Sequence, residues 1–363
     1  LLRSDTLASW DPSVAYRLYS KIIKPLEYFL VGKKTVTVIP HGALTSLPFE
    51  MLVDSKEHAT KRFWSAGDRP SYLVEKYAFA YAPSSSLLAY VRNRKHEKQP
   101  GWNFVGFGDA DYTDLSKTGT PNDGAERLLS AMSSTGGATR SHDLKPLPGA
   151  RKELTEIVKI VGGPTQTYFG SQATETLFKK ADLTRYGYIH LATHGVILGG
   201  PGRLQQRPAV VFSLYGDKEN DGFLQLGEVF GLKLNSDLVV LSSCFSQGKV
   251  DSSDSSMSQQ LARAFLFAGS DALVLSLWQV NDDSTANLFI EMYRNLKEGS
   301  KAEALRLAKL SLLNQSGLSH PYYWGPFILV GDWHVRLNPA ANRQPDEATR
   351  FKGVSSWRRL LTF

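Results

Sequence analysis

Asp237-Leu238-Val239-Val240-Leu241-Ser242-Ser243-Cys244 is an apolar run that ends in the only cysteine of the chain. A second run, Tyr186-Gly187-Tyr188-Ile189-His190-Leu191-Ala192-Thr193-His194-Gly195, ends in a histidine and a glycine. Each reads as a buried strand that delivers one reactive side chain to a loop at its carboxyl end, where open α/β sheets place their chemistry. The two side chains are 50 residues apart in the chain (244 − 194). A thiol reacts as thiolate, and a free cysteine, with a pKa of about 8.5, needs a neighbouring base to ionise well at neutral pH. His194 beside Cys244 is expected to help ionise the thiol and to protonate a leaving amine as general acid. The backbone N–H groups of Gly195, which has no side chain to block approach, and of Cys244 are the expected oxyanion hole. A lone cysteine in an apolar strand is more often a small core residue. The pairing with His194-Gly195 tips the reading toward a thiol peptidase.

The rest of the chain alternates helical and strand patterns. Pro12 to Leu30 has helical spacing and leads into a β-branched strand at Lys34–Pro40, with further strands expected at Lys76–Ala82 and Trp102–Gly108. Asp114 to Pro146 is rich in Ser, Thr, Gly and Asp and reads as a long loop at a boundary. Leu154, Ile157, Val158 and Val161 define an amphipathic helix over Arg151–Val161, stopped by Gly162-Gly163-Pro164. Short helices at Thr174–Leu183 and Leu226–Phe230 and a strand at Ala209–Leu214 come before the cysteine run. A polar loop, Asp251–Ser258, comes after it. A helix through Leu261, Ala264, Phe265 and Ala268 then leads to strands at Ala272–Leu277 and Phe327–Val330, with helices at Ser284–Glu298 and Lys301–Asn314 between them. This alternation predicts a mainly parallel sheet with helices on both faces. We divide the chain into 1–140, 141–336 and a polar tail over 337–363.

Composition bounds the partners. At 42% hydrophobic and 21% charged, the 363 residues can bury an ordinary core. No apolar stretch approaches membrane-spanning length and no signal-peptide pattern opens the chain, so no membrane is expected. It begins on Leu1 rather than methionine, which predicts a piece of a longer polypeptide. A single cysteine allows no internal disulfide and fits a reducing, cytoplasmic setting. The net charge of +7 comes from scattered residues. Its densest groups, Arg92–Lys98 and Arg350–Arg359, lack the aromatic interleaving of a nucleic-acid surface, so direct nucleic-acid contact is not expected.

Two other motifs carry little. His190 and His194 are four apart, but Leu191 stands where the helical zinc motif needs glutamate. In a strand the two are too far apart for one ion, so no metal is expected and His190 reads as a buried support. Gly106-Phe107-Gly108 opens like a dinucleotide loop, but Asp111 stands where the third glycine belongs, and no cofactor is expected.

His190-Leu191-Ala192-Thr193-His194-Gly195 and Leu238-Val239-Val240-Leu241-Ser242-Ser243-Cys244-Phe245-Ser246 together resemble the CHAT peptidases, caspase-like relatives of separase often fused to tetratricopeptide repeats. The histidine-first spacing is also close to that of caspases. The likeness extends to Ile39-Pro40-His41-Gly42-Ala43-Leu44, Leu147-Pro148-Gly149-Ala150 with Glu153, Asp221-Gly222-Phe223-Leu224 and Leu261-Ala262-Arg263-Ala264-Phe265. It continues through Ser276-Leu277-Trp278, Tyr323-Trp324 and Gly331-Asp332, so that it covers roughly Pro12 to Val335. The chain departs from the family pattern in the Ser-rich Asp251–Ser258 and in Gln247-Gly248 after Ser246. The resemblance implies a caspase-like α/β fold with an inactive half, 1–140, before an active half, 141–336. It also implies a His194/Cys244 endopeptidase acting on protein substrates. A regulatory partner, or a repeat domain N-terminal to this chain, is implied as well.

In the related separases an aspartate shortly after the Leu-Trp of the next strand holds a substrate arginine, and Asp282 in Leu277-Trp278-Gln279-Val280-Asn281-Asp282-Asp283 falls at the comparable position. A carboxylate there would bind a guanidinium bidentately, which predicts cleavage after Arg and less well after Lys. The plainer alternative is that Asp282 or Asp283 caps the helix from Ser284, and for Asp283 we expect the cap. Two competing functions stay open: a catalytically silent caspase-fold module that binds partners, and a thiol hydrolase of non-peptide acyl bonds.

Overall fold

The computed structural model describes residues 10–58, 69–94, 101–112, 144–198, 207–242, 255–278 and 280–334. Its strands are β1 (Thr35–Val38), β2 (Ala78–Tyr81), β3 (Phe104–Ala110), β4 (Thr165–Gly170), β5 (Tyr188–Ala192), β6 (His194–Leu198), β7 (Arg207–Val211), β8 (Phe223–Gln225), β9 (Leu238–Leu241), β10 (Ala272–Ser276) and β11 (Phe327–Gly331). Eight form one sheet in the order β1-β2-β11-β10-β9-β5-β3-β4, and β6-β7-β8 form a second. Every neighbouring pair in the large sheet is parallel except β10 with β11. The sheet is therefore two parallel blocks of opposite direction that meet at that seam. Strands from either side of residue 141 interleave: β3 lies between β5 and β4, and β11 pairs with β2.

The helices are α1 (Pro12–Ile22), α2 (Glu27–Leu30), α3 (Ser85–Asn93), α4 (Pro148–Ile160), α5 (Glu175–Lys180), α6 (Leu226–Gly231), α7 (Ser255–Ala268), α8 (Asp282–Leu296), α9 (Lys301–Leu313) and α10 (Pro321–Trp324). They cover both faces, and the strand residues sort by parity. Leu238, Val240, Ala272 and Val274 pack toward α4, α8 and α9. Val239, Leu241, Leu273 and Leu275 pack toward α7 and the small sheet. Successive side chains of a strand point to opposite faces, so a strand buried on both sides must be apolar throughout. That is why β9 is an unbroken Leu/Val run, Leu238-Val239-Val240-Leu241. Each such side chain, fully buried, stabilises by roughly 1.5–3 kcal/mol.

The structure corrects several boundaries. The run Tyr186–Gly195 is two strands: β5 ends at Ala192, and after Thr193 the chain leaves the large sheet and pairs His194–Leu198 antiparallel with β7. Pro25, which lacks a donor N–H, helps divide the first helical segment into α1 and α2. The amphipathic helix starts at Pro148 rather than Arg151, because proline suits the first helical turn. The polar loop expected at Asp251–Ser258 gives way to helix from Ser255. Residues 113–143, most of the expected long loop, lie outside the described residues, as does the tail.

Gly106 and Gly108 serve packing rather than a phosphate. A Cβ at either would lie 2.8 Å from a methyl carbon of Leu154, so their bare backbones let α4 settle onto β3. Gly106→Ala is expected to destabilise the chain by about 1–3 kcal/mol, the usual cost of overpacking. Urea unfolding would measure this. Trimming the neighbour with Leu154→Val should restore part of the loss, and a neutral Gly106→Ala would contradict the packing account.

Candidate active site

Two parallel strands carry the site. β5 pairs with β9 so that Tyr188 faces Leu238, His190 faces Val240 and Leu191 faces Leu241, an offset of 50 (240 − 190). The pairing continues to Ser242, whose N–H donates to the Leu191 carbonyl at 3.1 Å. Cys244, two residues on, lies outside the described residues together with the rest of 243–254. Gly195 is buried in β6 opposite Val210.

His194 opens β6 just beyond the end of β5. Its backbone N–H donates to the Tyr112 hydroxyl at 3.2 Å, and its ring meets the Tyr112 ring edge-on with centroids 4.8 Å apart. Its Nε2 lies 2.7 Å from the carbonyl oxygen of Lys145. A carbonyl can only accept, so the proton of the neutral imidazole is assigned to Nε2 and the lone pair to Nδ1. The Nδ1 lone pair is thereby left without the proton, and a backbone carbonyl holds the other side of the ring. Burial lowers the His194 pKa below the ordinary histidine value, and the Lys145 carbonyl opposes that shift only in part. Tyr112 is buried, and burial raises its phenol pKa. It is therefore neutral and keeps an oxygen free to accept the His194 N–H.

Asp282 is the first residue of α8 and half-buried. Its Oδ2 accepts the Gly149 N–H at 2.6 Å, so it caps the first turn of α4 rather than its own helix. Burial raises the Asp282 pKa, the Gly149 bond opposes this, and the charges of Glu153, Asp283 and Asp109 add to the rise. Asn281 is the cap of α8, accepting from the Ser284 N–H at 3.2 Å. That corrects the expectation of a cap at Asp283, which is exposed in the first turn. Asn281 wins because the capping residue sits one position outside the helix, and Asp283 is already inside it.

His190 is a buried support. It lies on the α8 face of the sheet, with Nε2 2.5 Å from Glu153 Oε1 and Nδ1 3.3 Å from the Tyr293 hydroxyl. The Glu153 contact is close but poorly aligned as a hydrogen bond. Both side chains are almost fully buried, so this pair ties β5 to α4. Asp109, at the end of β3, has a positive φ of 45°, and its carboxylate pairs with Arg151 at 2.7 Å.

Sequence reading missed Tyr112 and the Lys145 carbonyl. Tyr112 carried a usable signal, an aromatic two residues past an apolar strand that ends near the His strand. The carbonyl carried none, because every residue has one.

These features define an α/β protein with a tautomer-locked histidine at the end of a central strand. The family model of the CHAT domain matches residues 13–332, and the chain belongs to that family. The chain is also 26% identical over 359 residues to tetratricopeptide repeat protein 28 of Homo sapiens, covering 88% of this chain and 13% of the human protein. To its Mus musculus counterpart it is 28% identical over 222 residues, 53% of this chain and 9% of that protein. The chain thus spans a small part of these relatives. Among solved structures, it is similar to the Arg-specific cysteine proteinase gingipain R, with 9% identity, TM-score 0.48, and coverage of 90% of this chain and 68% of that one. It is also similar to separase of Saccharomyces cerevisiae in complex with securin, with 13% identity, TM-score 0.42, and coverage of 82% and 16%.

Because its folded pKa is depressed, neutral His194 contributes stability that is present above pH 6.5 and lost as pH falls through the folded value. A pH titration of the His194 ring by NMR is expected to give a midpoint below 6.5. A midpoint at or above 6.5 would contradict the burial argument.

Proposed function

We propose that this chain is a cysteine endopeptidase that works through His194 and Cys244 and cleaves after Arg, less well after Lys. The observation that carries this reading is the β5–β9 register: its offset of 50 equals the spacing of His194 and Cys244, so the two runs leave neighbouring strands in step. The tautomer of His194 supports it further, since the lone pair on Nδ1 is the atom able to take a thiol proton.

In this mechanism Nδ1 accepts the Cys244 proton and the thiolate attacks the scissile carbonyl carbon, forming a C–S bond. The oxyanion is held by the N–H groups of Gly195 and Cys244. His194 then returns its proton to the leaving amine as the C–N bond breaks, which leaves a thioester on Cys244. A water molecule gives its proton to Nδ1 and attacks the thioester carbon, and the released thiolate recovers that proton.

Asp282 is the proposed recognition residue. Among the described residues it makes no ion pair with Lys or Arg, and a half-buried carboxylate surrounded by Glu153, Asp283 and Asp109 favours a cation. In the same reading 1–140 is the inactive half, completing the sheet, while the reactive pair belongs to 141–336. The tetratricopeptide repeat relatives support a repeat-bearing region beside this chain, and in this reading that region, or a separate partner, is the regulator.

Peptide libraries varied at the residue before the scissile bond test this. Cys244→Ala and His194→Ala are each expected to lower cleavage by about 10²–10⁴-fold. Retained cleavage in either variant would exclude this pair. Cleavage of non-peptide acyl bonds alone would favour the hydrolase reading, and no turnover in any partner context would favour a silent module. Asp282→Ala is expected to weaken cleavage after Arg more than after other residues, and an unchanged preference would remove Asp282 from recognition.

A further inference from the structure

Lys145-Pro146-Leu147-Pro148-Gly149 joins the two expected site side chains directly. At one end the Lys145 carbonyl holds His194 Nε2 at 2.7 Å, and at the other the Gly149 N–H is held by Asp282 at 2.6 Å. Just before the segment, Leu144 is buried in the core and fixes where it enters. We propose that Asp282 is a positioning residue for His194: by anchoring Gly149 it places the Lys145 carbonyl, and that carbonyl selects the imidazole tautomer. The inference rests on the reading of His194 as the working imidazole and goes beyond the recognition role of Asp282.

Three features make the segment a strut rather than a slack tether. Pro146 and Pro148 lock their own φ angles near −65° and bias Lys145 and Leu147 away from helical conformations. Leu147 accordingly has φ −115° and ψ 73°. A displacement at Gly149 therefore has few soft torsions in which to dissipate before it reaches Lys145. Neither proline has an N–H to bond, and between the two ends the segment is held by Leu147, which packs against the core and whose carbonyl accepts the Ala150 N–H at 3.0 Å.

The anchor is unusually close. An ideal Cβ on Gly149 would lie 2.5 Å from both Cγ and Oδ2 of Asp282, so the carboxylate rests directly on the backbone. The positive end of α4, a helix of 13 residues, favours a negative charge at that point. This compensates the nearby charges of Glu153, Asp283 and Asp109. Asp282 has a second oxygen, Oδ1. A guanidinium bound there would share its carboxylate with the strut, so recognition and imidazole orientation would be linked through one group.

The test reads the ring of His194 in the resting 363-residue chain, without substrate. With ¹⁵N-histidine labelling and assignment by His194→Gln, the wild-type spectrum is expected to show the Nε2–H tautomer. Asp282→Ala is expected to move the tautomer ratio by about three- to tenfold toward Nδ1–H, the scale of one lost hydrogen bond. Asp282→Asn, which keeps an oxygen to accept the Gly149 N–H, is expected to restore the wild-type tautomer. If Asp282→Ala does not fold, Gly149→Ala, which pushes the carboxylate off the backbone, gives the same readout. An unchanged tautomer in the folded Ala variant overturns the proposal, and so does an equal shift in Ala and Asn. Failure of wild-type protein to cleave peptides would count against the peptidase reading and leave this ring measurement standing.

Discussion

Parallel pairing of β5 with β9, in the register that sets His190 beside Val240, is the constraint on which the rest of the molecule depends. A shift of one residue would turn Val239 and Leu241 from one buried face to the other and move every side chain with them. Because both faces of these strands are packed, the shift would cost most of the core at once. The register is therefore strongly specified. With it comes the relative position of the two strand ends from which His194 and the Cys244 run depart.

Buried polar pairs tie the helical layers to this sheet. Lys301 is fully buried and gives its ammonium to both the Asp237 carboxylate, at 2.8 Å, and the Asp237 carbonyl, at 2.9 Å. Lys309 is paired with Glu50, which also accepts from the Tyr81 hydroxyl. Glu153 and His190 join α4 to β5. The Lys301–Asp237 and Lys309–Glu50 pairs add little net stability, but breaking either leaves an uncompensated buried charge at a cost of about 3–5 kcal/mol. Their effect here is to fix which helix lies over which strand. Glu153 matters most to the site, because α4 also carries Gly149 and so the anchor of the strut behind His194.

Much of this was legible in the sequence, for identifiable reasons. Leu238–Leu241 and Ala272–Leu275 are apolar at every position, as suits strands covered on both faces. The long helix α8 carries clear periodicity. What escaped reading left no compositional mark. Thr193 redirects the chain from one sheet to another, but it lies inside the run Tyr186–Gly195, which reads as a single strand ending in His194-Gly195, and no residue there marks the break. β4, Thr165-Gln166-Thr167-Tyr168-Phe169-Gly170, begins with polar, exposed residues at a sheet edge and lacks an apolar pattern. The candidate site read from the sequence consists chiefly of side chains, those of His194, Cys244 and Asp282. The group that orients His194 is a backbone carbonyl, and the group that Asp282 holds is a backbone N–H. Backbone partners are set by where the chain runs, and residue identity does not reveal them.

The central claim is that the imidazole and the thiol share a proton, and the chain offers a direct way to measure it. Cys244 is the only cysteine, so the rate of alkylation by iodoacetamide against pH reports that thiol alone. The account predicts a midpoint below the value of about 8.5 for a free cysteine, and a rise toward it in His194→Gln. Identical profiles in the two proteins would contradict the account.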